Sequence, residues 1–384
     1  MKVGRIKTVS NNVKMSSSPA PASINTPASS TYASAATTAT APLRQPNHRA
    51  PATASTAPLT TNSTRQQQEE DERCKKVKRF VGGGLLIVLI VIGWHLYEHF
   101  TYDPLHQVKE SPMEHEIHEF TRSLYELEVQ HNPYLAKVNF QGRTKASYRD
   151  DRAQHPLLQV NEDLLASGGE ETRTIVLMRR LFDNYELDTH TVEHVTAEEE
   201  QEEDEFLKAI LATPVMQRTM KFLEFKGVAT NNKDSQLHLL KDMWFSQYSR
   251  GQGRIGSSGF EHVFLAEIRE GNILGLHNWI YFHEQEKLGH LDYKGHIEKL
   301  NLEKDGHYLM SLRFSFHRIN KPYNTLFVGT SPELEMSLYT MCFLLSVGQP
   351  CAVQLGHVKF SIITHAWDWH GKKMVATAYP SLEN

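Results

Sequence analysis

From Phe80 to Tyr97 the chain reads FVGGGLLIVLIVIGWHLY, 18 residues without an Asp, Glu, Lys or Arg. As a helix this run approaches the ~20 residues needed to cross the hydrocarbon core of a bilayer. It begins too deep in the chain for a cleaved signal peptide, and Trp94 and Tyr97 lie where an interfacial aromatic belt would sit. A buried core helix is the alternative reading. Arg73, Lys75, Lys76, Lys78 and Arg79 crowd its N-terminal side, whereas the first basic residue after it is Lys109. The positive-inside rule therefore predicts a single-pass type II arrangement. The N-terminus is cytosolic, the lipid bilayer is met through residues 80–97, and residues 98–384 are lumenal or extracellular.

Residues 1–68 carry seven basic side chains and no acidic one, with Ala, Ser, Thr and Pro making up most of the rest. So few large apolar side chains cannot offset the entropy of ordering, and 1–79 reads as a disordered basic arm, with 98–112 as a stalk. Up to Tyr97 there are twelve basic and four acidic residues, so a whole-chain charge of −4 leaves −12 for residues 98–384. A basic domain that coats nucleic acid is excluded, and any anion chemistry there rests on a local positive cluster. The cysteines are Cys74, Cys342 and Cys351, with no C-x-x-C pair, so neither a disulfide scaffold nor a zinc ribbon is indicated.

Residues 113–384 read as one folded domain of class α+β, a helical lobe followed by antiparallel-sheet lobes. Apolar residues recur at three and four in 116–128, 175–185, 205–227 and 234–250, with Pro214 dividing the third. The acidic run Glu198 to Glu205 is placed to start a helix. Runs rich in β-branched and aromatic residues at 262–270, 308–317, 324–330, 358–367 and 373–379 predict strands, with helices at 278–289 and 331–345 between them. Cys342 falls on the apolar face of that last helix and reads as a core thiol, or as a partner of Cys351 in an oxidising lumen.

Histidine is abundant after residue 97, so one alone means little. Glu261-His262 follows the glycine-rich stretch 251–259 and opens an expected strand, and His277 closes the next strand; a hairpin would bring 262 and 277 face to face. Lys321 lies in an expected turn, 318–324, within reach of the same cleft. Two histidines and a lysine suffice to transesterify RNA, one imidazole removing the 2′-OH proton, an imidazolium protonating the 5′-oxygen, and the ammonium stabilising the phosphorane. Three unrelated residues of a His-rich domain would give the same pattern. His365, Asp368 and His370 have metal-ligating chemistry but fall around a hairpin turn, and no P-loop, H-E-x-x-H or G-x-S-x-G occurs.

Four longer runs narrow the choice: SSGFEHVFLAEI (257–268), GLHNWIYFHEQEKLGHLDYKG (275–295), KPYNTLFVGTSPELEMSLYTMCF (321–343) and VATAYP (375–380). In this order they resemble the EndoU family of poly(U)-specific endoribonucleases. VNFQGRT (138–144), LFDNY (181–185), FLKAILATPVM (206–216) and WFSQYSR (244–250) resemble that family's helical lobe. The resemblance implies His262, His277 and Lys321 as catalytic residues, supported by Glu261 and Glu267. It implies Thr325, Thr377 and Tyr379 around the uracil, single-stranded uridine-containing RNA as substrate, and products with 2′,3′-cyclic phosphate and 5′-OH ends. Mn²⁺ is implied as a cofactor without identified ligands, and a monomer is expected. The rival from another class is a membrane-tethered RNA-binding or membrane-organising protein in which cleavage is vestigial; the intact His262, His277 and Lys321 argue against it.

Overall fold

Side-chain caps, more than apolar spacing, fix where the helices begin. In the computed structural model, which describes Glu72, Arg73 and residues 111–382 except 134, 148, 167 and 252, Ser111 caps α1 (Pro112–His131). Its Oγ accepts from the Glu114 amide at 3.2 Å, and the Glu114 carboxylate accepts from the Ser111 amide at 2.8 Å. Apart from Glu72 and Arg73, the expected arm (1–79) lies outside the described residues, as do the span (80–97) and most of the stalk. Among the described residues no helix is long and apolar enough to cross a membrane.

A short antiparallel pair, β1 (Ala136–Val138) with β2 (Leu158–Val160), follows α1. Then come α2 (Glu162–Ala166) and α3 (Arg173–Arg180). The acidic run opens α4 (Ala197–Ala212), with Thr196 and Glu199 forming a second capping box. Thr213 ends α4 and caps α5 (Pro214–Phe225), its Oγ1 3.2 Å from the Met216 amide. Pro214 loses nothing there, because a first-turn amide has no partner inside the helix. α6 (Lys233–Trp244) stops at Trp244 instead of running to 250. The next residues are drawn away: the Tyr248 amide donates to the Ser257 carbonyl at 2.9 Å and its hydroxyl to the Val375 carbonyl at 3.0 Å.

The second half is antiparallel sheet, as expected, with two local corrections. Residues 259–264 form a helix, α7 (Gly259–Phe264), and only β3 (Ala266–Arg269) is strand. Ser258 caps α7 by accepting from the Glu261 amide at 3.1 Å, and Gly259 is required because a Cβ there would lie 2.8 Å from the Val375 carbonyl oxygen. β3 pairs with β4 (Asn272–Gly275), and α8 (Trp279–Lys287) follows. β5 (Leu291–Asn301), β6 (Tyr308–Phe316) and β7 (Ile319–Val328) form a three-stranded sheet in that order. Lys321 therefore stands within a strand and not in a turn; the reversal is made by His317 and Arg318, at φ 47° and 66°.

α9 (Pro332–Ser346) opens on the Ser331 cap and is apolar nearly all round, with Leu334, Met336, Leu338, Tyr339 and Met341 each 0% exposed. Such a helix must be covered on every side. It packs on α5 and on β9 (Val358–Trp369), the central strand between β8 (Cys351–Leu355) and β10 (Lys372–Ser381). Cys342 is bridged to Cys351, their Cα atoms 5.6 Å apart, so the reading of Cys342 as a free core thiol gives way to the disulfide.

Candidate active site

The last carbonyls of any helix lack partners inside it, and α7 uses two of them to hold the second histidine. The Leu276 amide donates to His262 O at 3.2 Å and the His277 amide to Val263 O at 2.9 Å. The segments carrying the two histidines are joined by backbone hydrogen bonds at the C-terminal end of a helix, where a strand pairing was expected. The approach is close: a Cβ on Gly275, whose φ is 66°, would lie 1.6 Å from His262 O.

The rings are fixed through their Nδ1 atoms. His277 Nδ1 lies 2.7 Å from the Thr325 carbonyl oxygen. A carbonyl only accepts, so Nδ1 carries the proton and Nε2 keeps its lone pair. His262 Nδ1 lies 2.5 Å from Glu267 Oε2. Glu267 is gripped in turn by Arg250, whose Nε donates to the other carboxylate oxygen, Oε1, at 3.0 Å. Lys321 donates to the Gly275 carbonyl.

Burial and the Lys321 charge hold the His277 pKa well below the usual imidazole range, so that ring is neutral. Burial and Arg250 push His262 down to about 4, against the pull of Glu267. Burial brings Lys321 down to about 7. Burial alone would raise Glu267, but His262 and Arg250 keep it below the usual carboxylate range. Glu261 is the opposite case. It is 1% exposed, none of the described residues hydrogen-bonds its carboxyl oxygens, and burial with the nearby Glu267 charge raises it well above that range. Glu267 thus touches a catalytic candidate directly, whereas Glu261 sits beside it as an uncharged group.

β10 supplies the remaining wall. The Tyr379 ring stacks on His277 at 5.1 Å between centroids. Thr377 shares its strand face, two residues earlier. Thr325 is buried, and its carbonyl is the acceptor for His277 Nδ1. Arg250 was not singled out from the sequence: its Nη2 also reaches Tyr248 Oη at 2.8 Å and Ala376 O at 2.7 Å. Ala376 is the extra residue of a bulge in β10 between Val375 and Thr377, so Arg250 ties the Glu267–His262 pair to the strand carrying Thr377 and Tyr379. A basic residue ending WFSQYSR just before a glycine-rich stretch was the available sign.

Asp368 and His370 are exposed at the β9–β10 turn, and His365 is exposed on β9 opposite Thr377, so the three do not converge as one ligand set. Glu162, His283 and Glu284 converge closely enough to ligate an ion. Their carboxylates are already engaged, Glu284 by Arg179 at 2.6 Å and Glu162 by Lys287 at 2.7 Å. That donor set is therefore neutralised by protein cations and does not fit a resident Mn²⁺.

A family profile described as Endoribonuclease XendoU matches residues 116–380. The uridylate-specific endoribonuclease EndoU of Drosophila melanogaster is 46% identical over 291 residues, covering 76% of this chain and 88% of that protein. Uridylate-specific endoribonuclease B of Danio rerio is 39% identical over 235 residues, covering 60% and 80% respectively. A solved structure titled as XendoU, a splicing independent snoRNA processing endoribonuclease, aligns with a TM-score of 0.60 at 33% identity. It covers 71% of this chain and 99% of that one.

Proposed function

The chain belongs to the Endoribonuclease XendoU family, and from that premise we propose that it is a uridylate-specific endoribonuclease. It cuts single-stranded RNA at uridines by 2′-OH transesterification. The observation that carries the mechanism is the pair of opposed imidazole partners: a carbonyl on Nδ1 of His277 and a carboxylate on Nδ1 of His262. The first leaves Nε2 of a neutral ring as a base. The second favours the imidazolium, an acid.

His277 Nε2 takes the 2′-OH proton, and O2′ attacks phosphorus. The Lys321 ammonium stabilises the charge gathered on the phosphorane oxygens. The P–O5′ bond then breaks as His262 gives its proton to O5′, leaving a 2′,3′-cyclic phosphate and a 5′-OH. An RNA phosphodiester entering between the rings brings negative charge that raises the His262 pKa from its low resting position. No step is routed through a metal; Mn²⁺, where present, would be held by the RNA phosphates and not by carboxylates of this chain. Tyr379 lies beside the uracil, and Thr377 and Thr325 line its edge.

In the same reading, residues 80–97 anchor the protein in a bilayer and the enzyme, a monomer, works on the lumenal or extracellular side. The Cys342–Cys351 bridge supports that side, since disulfides persist in oxidising compartments. The experiment is cleavage of a uridine-containing oligonucleotide by H262A, H277A and K321A in the full chain. Each is expected to lose ~10²-fold or more in kcat while keeping the wild-type circular dichroism spectrum. Wild-type rates in folded H262A or H277A would end the proposal.

A further inference from the structure

Gly275 and Leu276 are successive residues in the left-handed region, at φ 66° and 65°. Leu276 adopts a conformation that its side chain disfavours, and such geometry persists only where the surroundings enforce it. α7 holds the amides of Leu276 and His277, as described above. The carbonyls need partners as well, because Leu276 is fully buried and an unpaired buried carbonyl is costly.

β7 meets this need with two side chains. Lys321 Nζ donates to Gly275 O, and Asn324 Nδ2 donates to Leu276 O at 2.8 Å. Residues 321 and 324 would face opposite sides of a regular strand. Here Leu312 pairs with Asn324 and Phe314 with Lys321, so Pro322 and Tyr323 together oppose Arg313. That extra residue turns Lys321 and Asn324 to the same face. Asn324 is 2% exposed, and its Nδ2 also lies 3.5 Å from Thr325 O, the acceptor of His277 Nδ1–H. Both neighbours are carbonyl oxygens, so the amide must turn its NH₂ group toward them.

We propose that Asn324 is a positioning residue for His277: its amide holds the carbonyl that leads into His277 and lies beside the carbonyl that receives the ring, fixing where Nε2 points. This rests on the transesterification reading, in which Nε2 takes the 2′-OH proton.

The test is N324D in the full chain, which keeps the shape but replaces the donating group with an acceptor. kcat on a uridine-containing oligonucleotide is expected to fall ~10–100-fold while KM stays within about twofold, since a misaimed base costs rate and not binding. The Nδ1–H resonance of His277, read by nitrogen-15 labelling of histidine, should shift or broaden. An unchanged resonance with unchanged kcat in folded N324D overturns the proposal, and so does a loss carried mainly by KM. If N324D does not fold, the same two readouts on N324S decide in the same way. The resonance also separates the two readings. A shift in N324D, together with full activity of H277A, supports the positioning role and removes His277 as the base.

Discussion

Glu267 takes His262 Nδ1 on Oε2 at 2.5 Å and the Arg250 Nε–H on Oε1 at 3.0 Å, so the two oxygens of one carboxylate serve the imidazole and the guanidinium. With no side-chain exposure, Glu267 keeps its charge only because two cation-forming groups share it. Glu267→Gln removes that charge and leaves Arg250 buried beside a neutral amide. kcat is expected to fall ~10–100-fold, because the imidazolium of His262 loses its counter-charge. Steady-state kinetics with a chemical-denaturation curve as control checks this; wild-type kcat would mean that His262 needs no carboxylate.

Gly275→Ala is expected to damage both fold and activity. The added Cβ would stand 1.6 Å from His262 O and require a left-handed φ of 66° from alanine. At least ~1 kcal/mol of stability should go, read as a lower Tm, and cleavage should fall further than that stability loss explains, because the backbone pushed aside carries both histidines.

The longer helices were largely legible in the sequence because their starts are written locally: Thr196 with Glu199, and Ser331 before Pro332 and Glu333. α7 was not, since GFEHVF is apolar and aromatic in a way that suits strand as well as helix, and six residues are too few to show a period. Lys321 was taken for a turn residue because Asn320, Pro322 and Asn324 are turn formers. The strand accommodates Pro322 at its bulge, where no ladder amide is required. The catalytic candidates were found through whole motifs. Arg250 stayed hidden because its partners lie 17 and 126 residues away.

Stability should decline with pH through Glu335. This buried carboxyl accepts from Thr330 Oγ1 at 2.7 Å and from Asn278 Nδ2 at 3.2 Å, and burial raises its pKa from 4.5 to about 8. Below about 4.5 it is protonated folded and unfolded alike, and its contribution is complete. As pH rises toward about 8 the unfolded chain releases the proton that the folded chain keeps, so stability is lost. Glu335→Gln cannot ionise and should flatten this part of the Tm-against-pH curve. An equally steep fall in the variant would place the effect elsewhere.

The bridge between Cys342 and Cys351 predicts a thiol count. Alkylation of the denatured, unreduced chain should modify Cys74 alone, and reduction should expose the other two. Reduction should also lower Tm, by an amount matching ~2–4 kcal/mol or somewhat less for so short a loop. Three alkylated cysteines without reductant would contradict the bridge.

The central claim, attack by a ribose 2′-OH at uridine under the two histidines, is tested most directly on an all-deoxy oligonucleotide carrying one ribouridine. Incubated with the full chain, it should be cut once, on the 3′ side of that residue, giving a 2′,3′-cyclic phosphate and a 5′-OH by mass spectrometry. Cleavage of the same strand with deoxyuridine at that position, or products ending in a 5′-phosphate, would contradict it.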